Sequence, residues 1–460
     1  MPDVDLVIRD ATVVSPDGTR RAHVAVAGGV IVSVGPERPP ATETVDAAGL
    51  LLLPGGVDTH VHLMDPGSTE REDFPTGTAA AAAAGVTTIV EHSHGQPVRT
   101  VADLEAKIDY LRGRSHVDFG LAAHAWPGKA DAVAPLWAAG VAFFKVFTCT
   151  THGVAGHDAA ALRTHLQSTA RVGGVSLMHC EDESLTAAAE EVLRSQGRDD
   201  NGILLDWRDR DAELVATAVA TLLVRRAAAR ATIAHVSNPE AAEYVTGERR
   251  RGAQLAVESC PQYFLLREDD VHEHGPLRKF TPPARARIDD DEHQMWRLLR
   301  AGTLTHISSD HAPSTLEQKR AGDIWNVHFG LPGLDSTFAL LLDAAARGHL
   351  SYSDVARVYA EAPARAYGMW PRKGSLLPGA DADIVLVDPT VRRTLRNDDV
   401  LSKAGWTPYD GRAVTGKVVR TYLRGECVAV DGAAVGDHDG RFRPGAGASS
   451  AYPSTLTARP

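Results

Sequence analysis

Between Leu51 and Pro313 the chain alternates short apolar runs with helical stretches, and this alternation limits the fold more than any other feature. A strand followed by a covering helix before the next strand gives repeated βα units and a parallel sheet. Eight such runs can be counted: Leu51 to His62, TTIVEHS from Thr87, DFGLAAHA from Asp118, VAFFKVFTC from Val141, VSLMHCED from Val175, RATIAHVS from Arg230, AQLAVESCP from Ala253 and LTHISSDHAP from Leu304. The fold class expected is therefore α/β, a (β/α)8 TIM barrel over residues 54–370. Its active site belongs at the carboxyl ends of the strands.

The two ends of the chain read differently. Residues 5 to 35 form a meander, with Asp17-Gly18 and Gly28-Gly29 as turns. A meander cannot cover both of its own faces, and partner strands appear in DADIVLVDP (Asp381 to Pro389) and KVVRTYLRGECVAVDG (Lys417 to Gly432). One small β-sandwich built from residues 1–53 and 371–432 is expected. From 433 to 460 the chain is rich in Gly, Ser, Pro and Ala, and a flexible tail is expected there, with an arm over a neighbouring subunit as the alternative.

A formal net charge of -11 without a concentrated basic run argues against a nucleic-acid partner. Four scattered cysteines, Cys149, Cys180, Cys260 and Cys427, resemble neither a disulfide framework nor a zinc finger, and reduced thiols in a cytoplasmic protein are expected. The N-terminus is acidic where a signal peptide is basic, and no apolar run reaches the roughly 18 residues of a membrane span, so neither export nor membrane association is expected.

The chemistry lies where the strands end. His60 and His62 sit two apart in VDTHVH, and alternation along a strand puts both imidazoles on one face, the spacing of a chelating pair. Lys145, His179, His235 and Asp310 occur near the ends of strands four, five, six and eight. One buried polar residue is commonly just a satisfied core group, but six converging on one barrel mouth point to a metal centre. Lys145 lies inside the apolar FFKVF, where desolvation disfavours an ammonium. A neutral amine can add carbon dioxide, and the resulting carbamate has two oxygens able to bridge two cations.

The expected set is His60, His62 and Asp310 on one divalent ion and His179 and His235 on the other, with carboxylated Lys145 and a hydroxide between them. Zinc suits these nitrogen and oxygen donors best, while manganese, cobalt or iron also fit. Such a pair of ions, about 3.5 to 4 Å apart, acidifies a shared water and polarises a carbonyl. Asp310 is then placed to take the water's proton and deliver it to a leaving nitrogen. His92, His94, His124 and His152 also fall near strand ends, where they could face a substrate or be hydrogen-bonded loop histidines. His311 points away from Asp310 and is expected to be structural, and Cys149 has no evident base to make it a nucleophile.

GGVDTHVHLMDPG, FKVF, MHCED, IAHVS, ESCPQYF, FTPPAR and SSDHAP, in this order from about Leu51 to Pro313, resemble the amidohydrolase superfamily, and within it the cyclic amidohydrolases: allantoinases, hydantoinases (dihydropyrimidinases) and dihydroorotases. The resemblance implies hydrolytic ring opening of a small cyclic amide or ureide and a homodimer or homotetramer. Dihydroorotases follow the histidine pair with Leu-Arg and carry an Asn after the second strand, whereas this chain has Met64 and EHSHGQ (Glu91 to Gln96). Hydantoinases have a Tyr five residues beyond the lysine, where Thr150 stands here. Allantoinases share PG-x-TE-x-x-x-F-x-TGT, matched by Pro66 to Thr78.

An allantoinase-like activity is thus the first expectation. Hydantoinase, then a dihydroorotase-like enzyme or an N-acyl amino acid deacetylase, are the alternatives. Lys145 opposes the one-metal deaminases of the superfamily, and the six filled ligand positions oppose a catalytically inert scaffold. The resemblance also implies that Thr150, Thr281, Leu331 and Gly333 face the substrate, although Thr281, before a proline pair, could equally serve turn chemistry.

Overall fold

A computed structural model of the chain describes residues 4–437 and 439–448. Eight parallel strands form the barrel: β1 (Gly56–Val61), β2 (Val86–Glu91), β3 (Asp118–Leu121, continued by Ala123–His124), β4 (Phe144–Phe147), β5 (Val175–His179), β6 (Arg230–Ile233), β7 (Gln254–Ser259) and β8 (His306–Ile307). The barrel closes where the chain beyond β8 meets β1, through a parallel bridge between Val61 and His311 and a 2.8 Å bond from the His62 N–H to the His311 carbonyl. Helices cover the outside, so the strands are apolar on both faces rather than alternating. Several helices start where a side chain accepts from their free first-turn N–H groups, as Asp73 does for Phe74–Ala83, Asp158 for Ala159–Val172 and Asp209 for Arg210–Ala227.

The terminal strands make a nine-stranded sheet with its own apolar core, which includes Leu6, Ile8, Val24, Ile31, Leu52, Ile384 and Tyr422. Its far strand, Val30–Gly35, returns to the C-terminal half through 2.9 Å bonds from Ile31 N–H to the Ala380 carbonyl and from Ala382 N–H to the Gly29 carbonyl. That return makes the sheet a sandwich. Two expectations need correction. The run Leu51 to His62 is not one barrel strand: Leu51–Pro54 belongs to the terminal sheet, pairing with Ile384–Thr394 and Val4–Ser15. Pro54 still pairs with Ile384 and Gly55 N–H bonds the Asp383 carbonyl at 2.9 Å, while a Cβ at Gly55 would lie 2.2 Å from the Thr87 hydroxyl, so the chain changes sheets where β2 presses closest.

The tail is the second correction. Of residues 433–460, those at 438 and 449–460 lie outside the described residues, and the described remainder is docked. Phe119 N–H bonds the Arg441 carbonyl at 3.0 Å, Arg443 N–H bonds the Phe119 carbonyl at 2.7 Å, and Gly445 N–H bonds the Gly140 carbonyl at 2.8 Å. Little apolar surface is needed for this, because the backbone itself continues the pairing and Arg443 ends on Asp118.

Candidate metal centre and active site

The barrel brings His60, His62, Lys145, His179, His235 and Asp310 to the wall of one cavity at the carboxyl ends of its strands. His60 lies in β1 and His62 one residue past its end, Lys145 in β4, and His179 ends β5. His235 and Asp310 follow β6 and β8 with φ of 37° and 49°, left-handed conformations that cost a non-glycine residue of order 1 kcal/mol or more. Backbone strain of this kind is held only where surrounding structure fixes it.

Two groups of donor atoms result. Asp310 Oδ1 lies 3.2 Å from His60 Nε2 and 3.5 Å from His62 Nε2. His179 Nδ1 and His235 Nε2 face each other at 2.9 Å. Lys145 Nζ is 3.1 Å from His60 Nε2, and the His60 and His235 rings lie 5.4 Å apart between centroids, so the groups adjoin. Burial pushes the pKa values of His62, His179 and His235 down, for His179 against the upward pull of Glu181, which favours the neutral imidazole that binds metal. Burial also lowers Lys145 to about 8 against the upward pull of Asp310 and Glu258. It raises Asp310 against the pull of His60 and Lys145. A buried set of neutral nitrogen donors and one carboxylate is the donor chemistry of a divalent-cation site.

Carboxylates behind the histidines fix which nitrogen is free. His60 Nδ1 bonds Glu258 Oε1 at 2.6 Å, and His179 Nε2 bonds Glu181 Oε2 at 2.7 Å. His62 Nδ1 bonds the His92 carbonyl at 3.1 Å. These bonds leave Nε2 of His60 and His62 and Nδ1 of His179 with lone pairs turned to the cavity. Glu181 also accepts from Thr281 Oγ1 at 2.6 Å and from Arg208 Nη1 at 3.2 Å. Asp58 ties β1 to the chain after β8, accepting from Ser309 N–H at 3.1 Å and the Tyr359 hydroxyl at 2.9 Å. Sequence reasoning assigned none of these supporting roles, although Glu258 within AVESCP and Glu181 within MHCED are visibly carboxylates beside apolar runs.

The expected substrate-facing residues divide. Thr281 lines the cavity. Leu331 and Gly333 do not form its wall but brace the loop that does: Ala312 N–H bonds the Leu331 carbonyl at 2.9 Å, Gly333 N–H bonds His311 Nδ1 at 3.1 Å, and Gly330 supplies the lining. The same bond gives His311 the structural place expected of it. Thr150 is corrected: it is exposed, its hydroxyl accepts from Gly156 N–H at 3.3 Å, and it does not line the cavity. His94 and His152 do, with ring centroids 4.4 Å apart, alongside Phe147 and Phe329. Burial pushes the Cys149 thiol up to about 12, away from the thiolate that a nucleophile needs.

Comparison with known proteins agrees with this geometry. The model of the amidohydrolase family matches residues 51–428. An allantoinase from Rubrobacter xylanophilus is 36% identical over 454 residues, covering 96% of this chain and 98% of that protein. An allantoinase from Streptomyces avermitilis is 36% identical over 443 residues, covering 94% and 97%. Among solved structures, the L-hydantoinase (dihydropyrimidinase) from Arthrobacter aurescens superposes with a TM-score of 0.92 at 29% identity, covering 95% of this chain and 99% of that one.

Proposed function

The chain belongs to the amidohydrolase family, in its cyclic amidohydrolase branch, and from that premise we propose that it opens a cyclic ureide by hydrolysis, with allantoin as the first-choice substrate. One observation carries the reading: five ligand-type side chains from four strands form two adjoining donor groups around a buried lysine on a fifth strand, at one barrel mouth. In this reading His60, His62 and Asp310 hold one divalent cation and His179 and His235 the other. Lys145 would join these ligands once carboxylated, its nitrogen forming a bond to the carbon of CO2 and releasing a proton to solvent. Two divalent ions, zinc as first choice, would acidify water and polarise the scissile carbonyl.

The protein's own groups do the rest. Asp310 is the most open of the first donor group, with its side chain 12% exposed against 1% for His60 and 3% for His62. Its carboxylate is therefore placed to take a proton from the attacking water and pass it to the ring nitrogen as the C–N bond breaks. The products are a new carboxylate and a free ureido N–H. Burial holds His94 and His152 neutral; with His152 Nδ1 taken by the Thr151 hydroxyl at 3.1 Å, its Nε2 and the His94 ring are left to meet the mixed donors and acceptors of a ureide. Among the described residues no arginine lines the cavity, and Met64 is buried where dihydroorotases carry their arginine, so a ring bearing an extra carboxylate is disfavoured.

A hydantoin or dihydropyrimidine ring is the second reading, favoured by the 0.92 superposition on the Arthrobacter enzyme. The deciding experiment is a panel of allantoin, hydantoin, dihydrouracil, dihydroorotate and N-acyl amino acids, assayed with metal-loaded protein before and after exhaustive chelation. Turnover of at least one ureide or imide ring, lost on chelation and restored by zinc, is expected. Turnover that survives complete metal removal would sink the proposal. We also propose a cytoplasmic homodimer or homotetramer, to be read by sedimentation of the intact protein.

A further inference from the structure

His92 follows β2, is 1% exposed, and its ring is used by nothing. Its carbonyl accepts from His62 Nδ1 at 3.1 Å and from His124 Nε2 at 3.0 Å, but neither ring nitrogen has a hydrogen-bond partner. A neutral imidazole always carries one N–H and one lone pair, so burying both without partners is costly unless something else engages the ring. The neighbours show what that is. The His92 centroid is 4.6 Å from that of His60 and 4.4 Å from that of His62, with Phe143 edge-on at 5.4 Å. His60, His62 and His92 each offer a nitrogen within 4.8 Å of the other two. Donors about 2.0–2.1 Å from one ion sit roughly 3.3 Å apart, so the three rings must turn towards one another to share an ion.

We propose that His92 is a further protein ligand to the cation held by His60 and His62. The inference rests on the binuclear reading above and deepens it: a third imidazole makes that position nitrogen-rich, favouring zinc, cobalt or nickel over manganese. Phe143, edge-on against the ring, restricts how far it can turn away.

The test uses the full-length protein loaded with zinc or cobalt, as wild type, His92→Asn and His92→Leu, dialysed against graded chelator and read by metal content and by the cobalt visible spectrum. Wild type is expected to hold two ions. Both variants should lose one of them at a free-metal concentration about 10-fold higher or more, retain the other, and show a changed cobalt spectrum. Without metal, His92→Leu should melt no lower than wild type, because it removes two unpaired buried nitrogens. If wild type holds two ions and the variants hold both with unchanged competition, His92 is no ligand and only this inference falls. If the metal-free leucine variant is markedly less stable, the ring has a structural role and the inference also falls. A wild type that binds no metal overturns the binuclear reading itself.

Discussion

Two buried lysines at opposite ends of the barrel show how differently one fold treats the same side chain. Lys373, 2% exposed, lies against the start of β3, with Asp118 at 2.6 Å, Asp383 at 2.7 Å and Asp381 at 3.0 Å. Burial alone would lower its pKa, but Asp383 and Asp118 outweigh it and the ammonium is held above its ordinary value. Arg424 and Arg443 complete the charge balance on Asp118, and Arg443 brings the C-terminal segment with it. Lys145, 1% exposed at the other end, has the His60 imidazole rather than a carboxylate as its close partner, and burial wins. The amino end of the barrel is satisfied and stabilising; the carboxyl end is left short of charge. A deficit of cations at the mouth is what a pair of divalent ions would correct.

The comparison breaks first on activity. Lys145→Ala and Asp310→Asn should each lower kcat/KM by about 1,000-fold or more, roughly 4 kcal/mol of transition-state stabilisation, with little loss of thermal stability. Retained activity in either, measured with full metal supplementation, would show that the mouth is not the reacting site. Lys373→Met should do the reverse. It removes the cation shared by three buried carboxylates, leaving Asp383 without an ion pair among the described residues, and is expected to cost about 3–5 kcal/mol in denaturant unfolding, while metal bound per folded chain stays at the wild-type value. Next comes the carboxylate behind a ligand. Glu258→Gln weakens the orientation of His60, and chelator competition should show metal affinity falling about 10–100-fold with the fold intact.

Which parts of this were legible follows from how local each signal is. The barrel strands and the six donors could be read because apolar runs are local and because histidine, lysine and aspartate at their ends are chemically conspicuous. The strand count misses the switch of sheets at Gly55, although the expected domain boundary at 53/54 lies beside it, since Leu51 to Leu53 is as apolar as any barrel strand and its partners lie in residues 4–15 and 384–394. The docked segment 439–448 could not be read either. Its composition predicts disorder, yet it is held by backbone pairing with β3 and by an arginine whose partner, Asp118, stands more than 300 positions earlier in the chain. His92, His94 and His152 were visible as residues, but only packing shows that two line the cavity and one lies behind it.

The smallest effect separates counting along the chain from geometry at the mouth. Five residues beyond Lys145 stands Thr150, but the loop doubles back through reciprocal bonds between Thr151 and Val154, N–H to carbonyl at 3.1 and 2.8 Å. Thr150 is left outside and exposed, its N–H bonded to the Glu183 carboxylate. The same turn carries His152, at φ 54°, over to the cavity and against Phe329, with ring centroids 5.6 Å apart. His152→Ala should therefore raise KM for the ring substrate by about 10-fold, the worth of one lost hydrogen bond with its packing, and leave metal content unchanged. Thr150→Ala should change kcat/KM by no more than about two-fold, because it loses only a hydrogen bond made at the surface. Should the threonine variant prove the more damaging, the loop must rearrange when substrate binds, and the residue count beyond the lysine would be the better guide to what touches the ring.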